Sequence, residues 1–213
     1  LQPWWRQRWW LAGVVAVGLV LAPVWYSQLT LFRVTVLAAP EPVLVIQDKG
    51  QVVVVNSGDD STARFTLLPF LQQQGINRID WAINTGDKTS SGWLEVLEHL
   101  PVKNLYYPST TQESGNLKTI QSAVQATGGT SQQLSPGQTM SMGSTAIKLV
   151  DGMPMWQFQI QSQTWLFLAL KAKAQHQLTL PSSLSKPDVL CGNLEPNIVG
   201  TLQPKVAIAT STT

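Results

Sequence analysis

The side chains equipped for chemistry are few. His99 and His176 are the only histidines, and they stand far apart, so no His-x-His or His-x-x-x-His pair exists to seat a zinc ion. A catalytic zinc commonly takes three protein ligands, and a two-metal hydrolase draws most of its larger set from imidazole and carboxylate. Cys191 is the only cysteine, which excludes an intrachain disulfide and a thiolate zinc cluster. It reads as a small buried hydrophobe rather than a nucleophile. No Gly-x-Ser-x-Gly elbow and no Gly-x-x-x-x-Gly-Lys-Ser/Thr phosphate loop occurs. Gly128-Gly129, between Thr127 and Thr130, reads as a helix exit. Asp59 and Asp60, in Asn-Ser-Gly-Asp-Asp, and Asp87, after Gly86, read as turn caps, the alternative being relic acid or metal groups. His99, in Glu-His-Leu-Pro, is expected exposed near a helix C-terminus, where a cation is favoured. His176 gives no stronger signal.

Composition narrows the class further. The 213 residues are 44% hydrophobic and 12% charged, against about 25% charged in an ordinary soluble domain. Amides stand in for charges, in Gln72, Gln73 and Gln74 and in the alternating Gln157, Gln159, Gln161 and Gln163. This excludes a highly charged disordered tail. The formal net charge of +2 is too small to argue for a polyanion partner by itself.

Much of the charge deficit lies at the start of the chain. Residues 9 to 32 contain no Asp, Glu, Lys or Arg, and the run from Trp9 to Tyr26 is long enough to cross a bilayer. Trp4, Trp5, Trp9 and Trp10 at one end, with Trp25 and Tyr26 at the other, form two aromatic belts. Arg6 and Arg8 precede the span and Arg33 is the first charge after it. Residues 1–28 are therefore expected to form one transmembrane helix in the plasma membrane, with a cytoplasmic N-terminus and an extracytoplasmic globular domain over residues 29–213. A cleaved signal peptide is the alternative, but its apolar region is shorter and usually ends in an Ala-x-Ala type site. The chain begins with Leu, so further membrane helices are expected upstream.

The elements that must position the sparse chemistry alternate in type. LTLFRVTVL (29–37), PVLVIQ (42–47) and QVVVVN (51–56) are strand-like, with Asp48-Lys49-Gly50 as a hairpin turn. Residues 62–74 predict a helix with Phe65, Leu68, Phe70 and Leu71 near one face and Gly75 as its stop. INRIDWAIN (76–84) and KNLYYP (103–108) predict strands, Trp93–Leu100 a short helix and Gly115–Ala126 a longer one. This order requires crossovers and a partly parallel sheet. QTMSM, TAIKLV, MWQFQIQ and TWLFLAL then read as hairpins, followed by the short strands PDVLC and PKVAIAT. Gln157, Gln159 and Gln161 alternate with Trp156, Phe158 and Ile160, the period of a strand with one dry face. An α/β four-layer αββα sandwich accounts for the order, with a three-layer αβα fold as the alternative.

The stretch LLPFLQQQGINRIDWAINTGD, together with PVKNLYYP, PDVLCGN and QPKVAIAT, resembles the C-terminal metallo-β-lactamase-like domain of the ComEC family of competence DNA-uptake channels. The resemblance spans most of residues 29–213 and implies that domain's fold. It also implies where the family's metal-motif positions would stand. Aligning Thr85 with the threonine of the family's Thr-His-x-His-x-Asp-His motif puts Gly86, Lys88, Ser90 and Ser91 at the four ligand positions. The aspartate of Asp-Thr-Gly falls on Asn56, a later Gly-Asp falls near Leu170-Lys171, and His-His-Gly falls near Cys191-Gly192-Asn193. Lysines at two of these places put positive charge where a dication would sit. The resemblance thus implies a degenerate, cyanobacterial-type member with no catalytic residues, no metal and no other cofactor.

The partners it implies are DNA, the membrane and the upstream channel helices of the same protein. Lys88 and Lys171 would then meet a phosphate of passing DNA, the alternative being two solvated lysines. The Gln-rich face of Gln157, Gln159, Gln161 and Gln163, together with Trp156 and Trp165, would stack or hydrogen-bond a single strand, the alternative being that both tryptophans belong to the core on whose runs they sit. Two other functions stay open at this point. One is a metal-dependent nuclease or phosphodiesterase with substitute ligands; the other is a membrane-anchored structural or sensory ectodomain.

Overall fold

The first three strands form because valine and isoleucine run unbroken between turn residues. Strands β1 (Phe32–Leu37), β2 (Val43–Asp48) and β3 (Gln51–Val55) pair antiparallel. The two-residue turn between β2 and β3 places Lys49 at φ 51° and Gly50 at φ 77°, the left-handed pair that a tight hairpin needs. Val43, Val45, Val52 and Val54 point to one side of the sheet and Leu44, Ile46, Val53 and Val55 to the other, all of them buried. A strand covered on both faces carries no polar alternation, hence the continuous apolar runs. The computed structural model describes residues 32–85, 91–109, 115–151, 155–168 and 186–210. The expected membrane helix lies outside them; among the described residues no helix is long and apolar enough to cross a membrane.

Helix α1 occupies residues 60–73, with a π-helical stretch, Ala63–Leu67, between Asp60–Thr62 and Leu68–Gln73. Pro69 explains the wide turn. It brings no N–H for the carbonyl four residues back, and its ring would crowd that carbonyl in a regular helix, so the ladder loosens to reach past it. Ala63, Leu67, Leu68 and Leu71 form the buried face, whereas Phe65 is 75% exposed. This corrects the expected face: Phe65 lies well round the helix from the Ala63, Leu67, Leu71 line.

Strand β4 (Ile79–Ile83), helix α2 (Gly92–His99), strand β5 (Val102–Pro108), helix α3 (Gly115–Ala126) and strand β6 (Thr130–Leu134) follow. The first sheet runs β1-β2-β3-β4-β5-β6, and β3 to β6 are parallel. Leu117, Ile120 and Val124 line the buried stripe of α3. At its exit Gly128 takes φ 80°, and a Cβ on Gly129 would lie 2.2 Å from the Val102 carbonyl oxygen. Glycine is thus required where the chain enters β6.

The second sheet runs β12-β11-β10-β9-β8-β7. Its strands are β7 (Thr139–Met142), β8 (Thr145–Leu149), β9 (Met155–Ile160), β10 (Gln163–Leu168), β11 (Val189–Gly192) and β12 (Val206–Ala209), with helix α4 (Pro196–Leu202) between the last two. Strands β7 to β10 are antiparallel and β10 to β12 parallel. Trp156, Phe158, Ile160, Phe167 and Cys191 share one core with Leu44, Ile46, Val53 and Val55 of the first sheet. A second core joins the far face of the first sheet to α1, α2 and α3, and a third joins Met155, Leu166, Leu168 and Leu190 to α4. The layers therefore run helix, sheet, sheet, helix.

A buried carboxylate ties the sheets. Asp48, 1% exposed, accepts from both the backbone N–H and the hydroxyl of Ser144 at 2.7 Å, clasping the β7–β8 turn to the β2–β3 hairpin. At the start of β11, Asp188 bonds Lys205 at 2.6 Å and accepts from Thr164 N–H at 2.8 Å. Those two contacts hold its carboxyl below the usual range.

Candidate functional site at the carboxyl ends of the strands

In a parallel sheet the carboxyl ends of the strands form the edge where ligands usually bind. Three last rungs mark that edge in the first sheet: Asn56 N–H to Ile83 O at 2.8 Å, Asn84 N–H to Tyr106 O at 2.8 Å and Ser109 N–H to Leu134 O at 2.7 Å. Asn56 ends β3 by turning to φ 64°, a conformation that asparagine tolerates better than most residues. Its Oδ1 accepts from the N–H groups of Ser57 at 2.9 Å and Gly58 at 3.3 Å, and its Nδ2 donates to Pro42 O at 3.4 Å. The amide is 4% exposed and builds the loop.

Asp59 then caps α1, accepting from Thr62 N–H at 2.8 Å and Ser61 Oγ at 2.9 Å. The Thr62 bonds hold its carboxyl below the usual range. Gly92, which opens α2, donates its N–H to Gly58 O at 3.2 Å. A Cβ there would lie 2.7 Å from the carbonyl oxygens of Gly58 and Asp59. That close approach brings Ser91 beside the Asn56 loop.

The edge of the second sheet is built differently. Gly192 sits at φ 145°, where a Cβ would lie 2.6 Å from Leu168 O, and Thr210 N–H donates to Gly192 O at 3.0 Å. Cys191 is turned into the core between the sheets, its thiol donating to Leu166 O at 3.4 Å. Burial pushes that thiol up to about 12. Among the described residues three hydroxyls stand buried without a hydrogen-bond partner: Thr85 Oγ1 just past β4 and Thr210 Oγ1 just past β12, at these edges, and Thr145 Oγ1 at the start of β8.

Of the aligned metal-motif positions, the structure places Ser91 next to Gly92, which packs on the loop that follows Asn56, and buries Cys191 in the core. Gly86, Lys88, Ser90 and Lys171 lie outside the described residues, as do Asp87 and His176. The described three do not fit a divalent metal. Asn56 spends its carbonyl oxygen on two backbone donors, Ser91 offers a neutral hydroxyl, and Cys191 keeps its proton far above neutral pH.

Trp156 is fully buried; Trp165 is half-buried against the core between the sheets, its indole N–H donating to Gln163 Oε1 at 3.3 Å. Among the described residues, sequence reasoning missed one group, Glu95, Glu98 and His99, whose ligand atoms lie within 4.8 Å of one another on α2. The i, i+3, i+4 spacing signals it. Glu95 is already held bidentate by Arg64 at 2.9 and 2.8 Å, which lowers its proton affinity, and His99 Nδ1 lies 2.9 Å from the Glu95 carbonyl oxygen. A cation there would have to displace Arg64.

No family model matches the sequence, and neither does any curated protein. Solved structures do match. A metallo-β-lactamase of Cronobacter sakazakii, a mutant of its HARLDQ motif, is 11% identical with a TM-score of 0.50, over 70% of this chain and 65% of that one. Zinc-bound PqqB from Methylobacterium extorquens is 13% identical at TM-score 0.48, over 80% of this chain and 62% of that one. YhfI of Bacillus subtilis, a metallo-β-lactamase fold protein, is 13% identical at 0.48, over 70% and 61%. The fold, resting on the first of these, is that of the metallo-β-lactamases. The chain spans less than two thirds of the length of each of the three.

Proposed function

We propose that this chain is a non-catalytic, extracytoplasmic domain of a ComEC-type competence channel, carried on a plasma-membrane helix within residues 1–28, with its N-terminus in the cytoplasm. On this reading it supports or guides incoming DNA and does not itself degrade the other strand. One observation carries the reading: on a metallo-β-lactamase fold, Asn56 stands at the position that the resemblance gives to the Asp-Thr-Gly aspartate, and it uses its amide to build the loop. The sequence resemblance supplies the DNA. Lys88 and Lys171 are the phosphate contacts proposed.

The test is binding of labelled single-stranded and duplex DNA by the full-length chain in detergent across a salt series. Affinity is expected to fall steeply with salt. In a Lys88→Ala, Lys171→Ala variant the single-strand log–log slope should flatten by about 1.4, two phosphate contacts fewer. Absence of binding at low salt would overturn the reading in favour of a structural or sensory ectodomain. Zinc- or manganese-dependent cleavage would overturn it in favour of a phosphodiesterase with substitute ligands.

A further inference from the structure

The opposite end of the first sheet, at the amino ends of β3 and β4, holds a hollow of about 130 Å³. Gln47, Gln51, Gln74, Asn77, Arg78 and Asp80 line it. The β2–β3 turn makes one wall and the chain leaving α1 makes the other. None of these residues belongs to the Asn56 edge.

Gln47 is the reason to expect a ligand. It shares the helix-facing side of β2 with Val43 and Val45, it is 7% exposed, and its Oε1 is buried without a hydrogen-bond partner. A buried carbonyl oxygen left without a donor is destabilising, and native structures rarely leave one unanswered. Two of the other polar groups nearby, Asp80 and Gln74, are engaged. Asp80 accepts from Val52 N–H at 3.0 Å and pairs with Arg78 at 3.0 Å, and Gln74 Oε1 takes a bond from Arg33 at 2.6 Å. Arg33 is the register partner of Gln47 across β1 and β2. Arg78 has five donors, of which the contact with Asp80 engages part, and its side chain is 57% exposed at the mouth. Arg33, Lys49 and Arg78 against Asp48 and Asp80 leave the neighbourhood with a net positive charge.

We propose that this hollow binds a small zwitterion of the α-amino acid class, with its carboxylate on Arg78 and its ammonium donating to Gln47 Oε1. A carboxylate alone would set two acceptors face to face at Gln47. An amine alone would face Arg78. A ligand carrying both signs a few bonds apart answers both, and a hollow of this size favours the smallest amino acids. The inference is independent of the DNA reading, since it uses none of the same residues.

The experiment is titration of glycine, L-serine, acetate, methylammonium and inorganic phosphate, each alone, into the full-length chain in detergent by calorimetry. Glycine and serine should bind about tenfold more tightly than acetate or methylammonium, the worth of one hydrogen bond to a buried acceptor. Gln47→Met should abolish that preference. Arg78→Gln should weaken glycine and acetate alike, and because Arg78 is exposed this variant keeps the test open if Gln47→Met fails to fold. Three outcomes would overturn the proposal: acetate equal to glycine, which would mean that the Gln47 amide is turned to donate; phosphate binding without amino acids, an anion site only; and binding of none of the five, a hollow filled by water.

Discussion

At the scale of single residues, Asn56 and Cys191 serve the fold, and this can be measured. Cys191 has its thiol raised from an ordinary 9.0 to about 12 by burial. Only the thiolate alkylates readily, so the folded chain is expected to resist iodoacetamide at about pH 8 and to react on unfolding. The linkage has the matching sign. The unfolded thiol loses its proton first as pH rises, so the stability contributed by the neutral thiol is complete below about pH 9 and is lost as pH climbs towards 12. Asn56 makes the second prediction. Asn56→Ala removes the acceptor for Ser57 and Gly58 at a positive φ and should cost about 2 kcal/mol in urea unfolding. Asn56→Asp keeps that acceptor but loses the Nδ2 donor to Pro42 O in a buried place, so it should cost about 1 kcal/mol, less than Asn56→Ala.

At the scale of elements, two turns meet through one carboxylate. A Cβ on Gly143, at φ 57°, would lie 2.7 Å from Asp48 Oδ2, the atom that also holds Ser144. Asp48→Ala leaves the Ser144 N–H without its acceptor and should cost about 2–3 kcal/mol. Gly143→Ala pushes on the same contact, so the double variant should lose less than the two single losses together when unfolding is followed in denaturant. Helix α1 shows the same dependence on surroundings. Its apolar residues were legible, but Pro69 and the π-helical turn decide which of them face the sheet, and Phe65 falls outside.

At the scale of the whole molecule, the two sheets share a core, so neither is stable as a layer alone. Trp156, fully buried between them, contacts that shared core from β9. Trp156→Ala should cost about 3–5 kcal/mol, with fluorescence and far-UV circular dichroism still reporting one coincident transition. Separate transitions for the two probes would show that the sheets unfold independently. By itself the sequence determined the strand runs, the tight hairpin at Lys49-Gly50, the glycine exit after α3, the order of most elements and the poverty of metal ligands. Each of these is a local matter of side-chain period, backbone conformation or residue type. The tertiary structure decided what depends on distant partners. Strand β6 carries polar residues on both faces because it is a sheet edge, so no alternation announces it, and α4 is short and rich in β-branched residues, with only Pro196 at its first turn as a signal. The clasp of Asp48 on Ser144 and the bond from Asn56 Nδ2 to Pro42 O likewise belong to no local pattern. Hydrogen bonds between residues far apart in the chain exist only once the sheets have brought them within reach.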